Sequence, residues 1–194
     1  MRKEKYLYNG KEVVYTNSSG GLQYTYQLND QWLAVTGTGT NAYNSHSGFS
    51  FTYNGEKQLT ESKITVPRDN STQTFYENWY YTNGVCDSFA ATTSWAGITY
   101  RTSLLFEYDL TKQTSIIQHE WPLQINLAAE IFGKQRLKYL LKKTIYYANG
   151  VNFPDNNWRY EYQYDGSGRV TERKTFSGSN TGPDANLTES YTYN

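Results

Sequence analysis

The sequence predicts an all-β fold: an antiparallel sheet of repeated tyrosine-rich hairpins, open and curled or barrel-like, with at most one short helix. Three observations predict it: the aromatic content, a recurring aromatic–x–aromatic unit that runs into turn residues, and four Asn-Gly pairs. Among 194 residues there are 20 Tyr, 8 Phe and 5 Trp. Leu, Ile and Val number 14, 7 and 7, so rings outnumber branched aliphatics. Rings and Thr suit a pleated, half-buried surface. A mean hydropathy of -0.78 argues against a thick two-sided core and for a sheet with one aromatic face and one wet face.

The elements follow in order. The unit opens as Tyr6-Leu7-Tyr8-Asn9-Gly10 and returns as Tyr24-Thr25-Tyr26 before Asn29-Asp30. It recurs at Phe51-Thr52-Tyr53-Asn54-Gly55, Trp79-Tyr80-Tyr81-Thr82-Asn83-Gly84 and Phe106-Glu107-Tyr108-Asp109. The last copies are Tyr160-Glu161-Tyr162-Gln163-Tyr164-Asp165-Gly166 and Tyr191-Thr192-Tyr193-Asn194. The second aromatic falls at 26, 53, 81 and 108. That period is the length of a strand, a tight turn, a return strand and a connection. Asn-Gly at 9–10, 54–55, 83–84 and 149–150 predicts type I′ turns, whose two central residues both need positive φ. Return strands are expected at Leu59–Val66, Val85–Thr93, Ser115–Trp121 and Val170–Phe176. Period 2 puts Tyr160, Tyr162 and Tyr164 on one face and Glu161 and Gln163 on the other. Leu137, Leu140 and Leu141 sit at helical spacing, so Leu127–Lys143 predicts a helical turn that becomes a strand by Thr144. Thr36–Gly48 and Ser177–Asn186 read as long loops. No linker divides the chain, so residues 1–194 are expected to form a single hairpin-repeat domain.

Composition excludes several functions. Eighteen basic residues balance eighteen acidic ones, so no field selects nucleic acid. No apolar run is long enough for a helical membrane span. Met1-Arg2-Lys3-Glu4-Lys5 leads straight into the first hairpin without a signal peptide. Cys86 is the only cysteine, so an intrachain disulfide is ruled out.

The stretch Tyr160–Lys174, YEYQYDGSGRVTERK, resembles a tyrosine-aspartate (YD) repeat, in which YxYDxxGR precedes a strand. The wider stretch Trp121–Arg173 carries WPLQINLAAEIFGKQRLKYLLKK, an aromatic strand and YDGSGRV. It is similar to uncharacterised envelope lipoproteins of gut Bacteroidota. The resemblance implies a β-sheet protein that is exported and lipid-anchored through an N-terminal cysteine lying outside this sequence. It implies no functional residues.

Catalytic motifs fail on inspection. His119-Glu120-Trp121-Pro122-Leu123 starts like HExxH, but Leu123 stands where the second zinc-binding histidine belongs. Glu107 and Asp109 share a strand face and could be spaced like a glycosidase pair. Hairpin strands also carry such charges simply to stay soluble. Asp155-Asn156-Asn157 lacks the spaced oxygens of a calcium loop and reads as a turn. The basic residues of 134–143 read as a solvated face, His46 as a surface or strand histidine, and Cys86 as a small buried hydrophobe on a strand. No cofactor or metal is expected.

The tryptophans hold the functional promise: Trp32, Trp79, Trp95, Trp121 and Trp158. An exposed ring can stack on sugars or anchor a protein, and a buried one is core. The leading expectation is a noncatalytic bacterial cell-envelope binding or scaffold domain with a glycan or an envelope protein as partner. A carbohydrate-binding module using these rings is the alternative, and a glycan-active hydrolase or a fragment of a larger repeat shell comes after it. An open sheet would also offer its aromatic face for a homodimer.

Overall fold

The computed structural model describes residues 4–17, 22–40, 46–68, 71–113, 139–179, 182 and 185–193. The strands are β1 (Glu4–Asn9), β2 (Glu12–Asn17), β3 (Leu22–Leu28), β4 (Ala34–Thr40), β5 (His46–Tyr53), β6 (Leu59–Arg68) and β7 (Ser71–Thr82). They continue as β8 (Val85–Trp95), β9 (Ile98–Gln113), β10 (Tyr139–Ala148), β11 (Val151–Asn152), β12 (Trp158–Tyr164), β13 (Val170–Ser177) and β14 (Leu187–Ser190). They form one 14-stranded sheet whose order follows the chain, with β11 set beside β10. β1 and β14 end that order, so the sheet is open. The only helical element among the described residues is a 3-10 turn at Pro154–Asn156. The all-β expectation holds. The period of 27 to 28 residues is one strand and its return partner: Tyr26, Tyr53, Tyr81 and Tyr108 lie on β3, β5, β7 and β9.

The chain groups into two compact units, and β7, β8 and β9 contribute to both. The first contains β1–β6 with residues up to Trp79 and Ala91–Tyr100. Its buried face is a ladder of rings. Tyr6 lies 5.1 Å from Tyr15, Tyr15 5.9 Å from Tyr24, Tyr24 5.7 Å from Phe49, and Phe49 6.4 Å from Phe51. These spacings are those of favourable tilted, stacked and edge-on pairs. The opposite face carries Gln23, Gln27, Thr36, Thr38, Ser50 and Thr52, all exposed.

The second unit holds Tyr80–Ala90 and the described parts of 101–120 and 136–194. Leu140 and Val170 form the centre of its core, with Tyr162 and Tyr191 against them. Its tyrosine hydroxyls tie strands together. Tyr108 bonds the Cys86 carbonyl, Tyr162 that of Leu141 (2.7 Å) and Tyr193 that of Val170 (2.7 Å). Tyr160 and Thr144 hydroxyls meet at 2.9 Å. Arg173, 4% exposed, points into this unit and is neutralised by Glu189 of β14 at 2.6 Å.

Three local expectations are corrected. Thr36–Gly48 is not loop throughout: Thr36–Thr40 belongs to β4 and His46–Gly48 to β5, and residues 41–45 lie outside the described residues. Its glycines make room for rings. A Cβ on Gly37 would stand 2.8 Å from the Tyr26 ring, and one on Gly39 2.2 Å from that of Tyr24. Thr-Gly alternation therefore encodes a strand over which aromatic side chains lie flat. Tyr139–Lys143 is strand, not helix. Register shifts flank Leu140–Leu141, and both leucines are fully buried. A bulge breaks the two-residue alternation and so imitates helical spacing. Residues 127–138 lie outside the described residues, as does the expected strand Ser115–Trp121.

The third correction concerns turns. Asn83-Gly84 and Asn149-Gly150 have positive φ at both residues, as a type I′ turn demands. At 9–10 the turn is centred one residue later, on Gly10 and Lys11 between paired Asn9 and Glu12. At 54–55 the loop is longer. The Asn54 side-chain oxygen accepts from Glu56 N–H (3.0 Å) and Gln58 N–H (2.9 Å), and the positive φ falls on Lys57.

Candidate binding surface

The tryptophans occupy different places. Trp79 is 3% exposed in the core of the first unit, Trp32 is 59% exposed and Trp95 52%. Trp158 opens β12 in the second unit, and Trp121 lies outside the described residues. Trp32 and Trp95, both in the first unit, sit at opposite ends of its strands. Trp32 follows β3, while Trp95 reaches Ser71 at the start of β7, and successive turns of an antiparallel meander alternate ends. Within the first unit, Trp32 and Trp95 therefore do not form one platform.

Around Trp95 the local geometry is tight. Ala96 and Gly97 have φ of 49° and 78°, a two-residue turn of the type I′ kind. The Ser94 and Thr99 hydroxyls lie 3.2 Å apart, which places Trp95 opposite Ile98. Tyr100, two residues on, shares the face of Ile98. The Trp95 indole N–H donates to Ser71 Oγ at 3.0 Å, so the ring is fixed at its edge. Ile98 and Tyr100 are 54% and 59% exposed. Further along β9, Leu104 and Phe106 on that strand face are buried. Sequence reasoning singled out Trp95 but missed Ile98 and Tyr100. The signal was the Ala-Gly dipeptide, a poor match to the preferred Asn-Gly turn pair.

Trp32 lies in a loop that the molecule uses three times. In 29–33, 54–58 and 165–169 the first residue is Asn29, Asn54 or Asp165. Its N–H donates to the fifth residue's carbonyl, and its carbonyl accepts from the fourth N–H, at 2.9–3.1 Å throughout. Its side-chain oxygen accepts from the third and fifth N–H groups in every copy. A register shift precedes each loop. The next residue, Ala34, Leu59 or Val170, drops into the core at no more than 1% exposure. The fourth residue carries positive φ: Trp32 (62°), Lys57 (64°) and Gly168 (77°).

The titratable groups do little that resembles catalysis. Asp109 is held low by its bond from the Thr111 hydroxyl and by the Thr111 N–H, and it and Glu107 stand on an open strand face. Asp30 is held low by Lys11, and Asp165 by the backbone and side chain of Arg169. Burial pushes the Cys86 thiol up to about 12, far from a reactive thiolate. Among the described residues no three His, Cys, Asp or Glu side chains converge on a metal-sized point. His119 and Lys134–Lys138 lie outside the described residues. Asp155 and Asn156 form the 3-10 turn, and Asn157 accepts from Tyr146 N–H at 2.7 Å.

No family model matches the sequence, and no curated protein does. The fold is similar to solved structures. A porin-like protein from Bacteroides uniformis matches with a TM-score of 0.60 and 20% identity, over 91% of this chain and 70% of its own. A porin-like protein from Bacteroides vulgatus matches with a TM-score of 0.66 and 11% identity, over 90% of this chain and 80% of its own. At these identities the likeness is one of fold.

Proposed function

We propose that this chain is a noncatalytic domain of the bacterial cell envelope that binds a partner protein through the tip of the β8–β9 hairpin. The carrying observation is the Trp95–Ile98–Tyr100 surface. Three large apolar side chains stand more than half exposed on a hairpin whose Trp95 ring is already fixed at its edge. A pre-ordered aromatic anchor loses little entropy on binding and excludes water well, which is how interface hot spots work. The envelope setting is supported by the porin-like neighbours from Bacteroides and by the lipoprotein resemblance, which also suggests a lipid anchor outside this sequence.

A lipid-embedded pore is the reading that the strand chemistry opposes. Transmembrane barrels present an apolar band to lipid and keep polar residues inside. Here the exposed faces carry Gln23, Gln27 and Glu61 in the first unit and Arg159, Glu161 and Gln163 in the second, while Tyr15, Tyr26 and Phe51 of the first unit and Tyr160 and Phe176 of the second are buried. Hydrolase chemistry needs a general acid with a raised pKa, and Asp109 is shifted the other way.

The test is co-sedimentation with isolated Bacteroides envelopes, before and after protease treatment of those envelopes. Wild type is expected to pellet with untreated envelopes only. Trp95→Ala/Tyr100→Ala is expected to stay in solution with an unchanged melting temperature. Equal pelleting of wild type and variant contradicts the assignment.

A further inference from the structure

The three matched loops contain an internal comparison. All place their fourth residue in the left-handed region, where a side chain crowds the backbone. Gly168 avoids that crowding, and Lys57 bears it with a slim, flexible stem. Trp32 puts a bulky aromatic residue there at φ 62°. Backbone strain of this kind survives where the fold holds it for a use. The loop has no need of an indole, since its bonds involve only backbone groups and the Asn29 side chain. The core gains little either, because the ring is 59% exposed. The strained backbone therefore serves to hold a flat ring out in water.

The neighbours of the ring say what would use it. Asp30 and Gln31 are exposed in the same loop. Lys11 lies alongside: its carbonyl accepts Leu28 N–H at 2.7 Å, and its ammonium pairs with Asp30. A carboxylate, an ammonium and a carboxamide thus belong to or pair with the loop that carries the exposed ring. A pyranose has the matching chemistry, with a C–H face that lies on indole and hydroxyls that both donate and accept. The Trp95 surface differs, since its ring stands with Ile98 and Tyr100.

We propose that Trp32 is the stacking platform of a glycan site that takes a neutral hexopyranose chain, with Asp30, Gln31 and Lys11 bonding its hydroxyls. This rests on the reading of the chain as a noncatalytic binding domain but uses a different tip. The test is affinity electrophoresis of the whole chain through gels containing laminarin, yeast mannan or potato galactan, with thermal melts of the same variants. Wild type is expected to be retarded by at least one of the three. Trp32→Gly, which copies Gly168, is expected to weaken that retardation by about tenfold and to melt at the same temperature or higher. Trp32→Lys, which copies Lys57, should behave likewise. Trp95→Ala/Tyr100→Ala should be retarded like wild type. The proposal is overturned if none of the gels retards wild type, if both Trp32 variants bind like wild type, or if both melt lower, which would make the indole a packing residue. If the Trp95 pair alone removes retardation, the glycan site at Trp32 fails, and envelope co-sedimentation decides the Trp95 surface separately.

Discussion

The two units spend tyrosine differently. In the first, rings stack on rings and over glycines, and the buried hydroxyls of Tyr15 and Tyr53 have no hydrogen-bond partner among the described residues. In the second, the hydroxyls of Tyr108, Tyr162 and Tyr193 each bond a strand carbonyl. One residue type is a stacking plate in one place and a cross-strand tether in the other. The difference teaches that a tyrosine-rich sheet has two routes to stability, one through ring faces and one through phenol oxygens, and that substitutions separate them.

The largest effect should come from removing the space under the rings. Gly39→Val drives a side chain into the Tyr24 ring and should cost about 3 kcal/mol, read from urea unfolding. Gly166, over which a Cβ would meet nothing within 4 Å, should tolerate Ala far better. In the second unit, Glu189→Gln removes the carboxylate charge that meets the buried Arg173 guanidinium. Because Glu189 is itself partly exposed, the expected loss is about 2 kcal/mol, with β14 amides exchanging fastest.

Removing single oxygens sharpens the contrast. Tyr162→Phe and Tyr193→Phe should each cost about 1 kcal/mol, because a strand carbonyl loses its donor. Tyr15→Phe should be neutral or slightly stabilising, since its hydroxyl is desolvated without return. Equal losses at Tyr15 and Tyr162 would erase the distinction between plates and tethers.

Alkali should probe the same ladder. Burial raises the pKa of Tyr24, Tyr26 and Tyr53 above the ordinary 10.0. A raised folded value means that their contribution is intact below the ordinary tyrosine pKa and is lost as pH rises through the folded one. The last part of the tyrosinate absorbance should therefore appear in one cooperative step with unfolding, and completion of the rise while the chain is still folded would contradict the burial of the ladder. Least visible should be Cys86, which burial leaves protonated and unreactive to thiol reagents until the chain unfolds.

Much of this was legible in the sequence because it is local. Ring alternation assigned strand faces, and Tyr-x-Tyr before Asn or Asp marked hairpin ends. Thr-Gly-Thr-Gly-Thr misled, since glycine signals a turn until a ring from the next strand is known to need its space. Leu140 and Leu141 misled because a bulge and a helix both put neighbouring apolar residues inside. The turn at Asn29-Asp30 was legible, but its five-residue form, shared with Asn54 and Asp165, shows only in the bond pattern. The exposure of Trp32 and Trp95 against the burial of Trp79 depends on packing between distant strands, which composition does not encode.

The strand face of Gln23, Gln27, Ser50, Thr52 and Glu61 in the first unit is polar and exposed, and the functional reading depends on that polarity. Thr52 is exposed on β5 opposite Glu61, and an environment-sensitive dye on Thr52→Cys in a Cys86→Ala background reports its surroundings directly. With lipid vesicles added, the emission should not move and iodide should still quench it, as for a face in water. A blue shift with loss of iodide access would place that face in lipid and contradict the account.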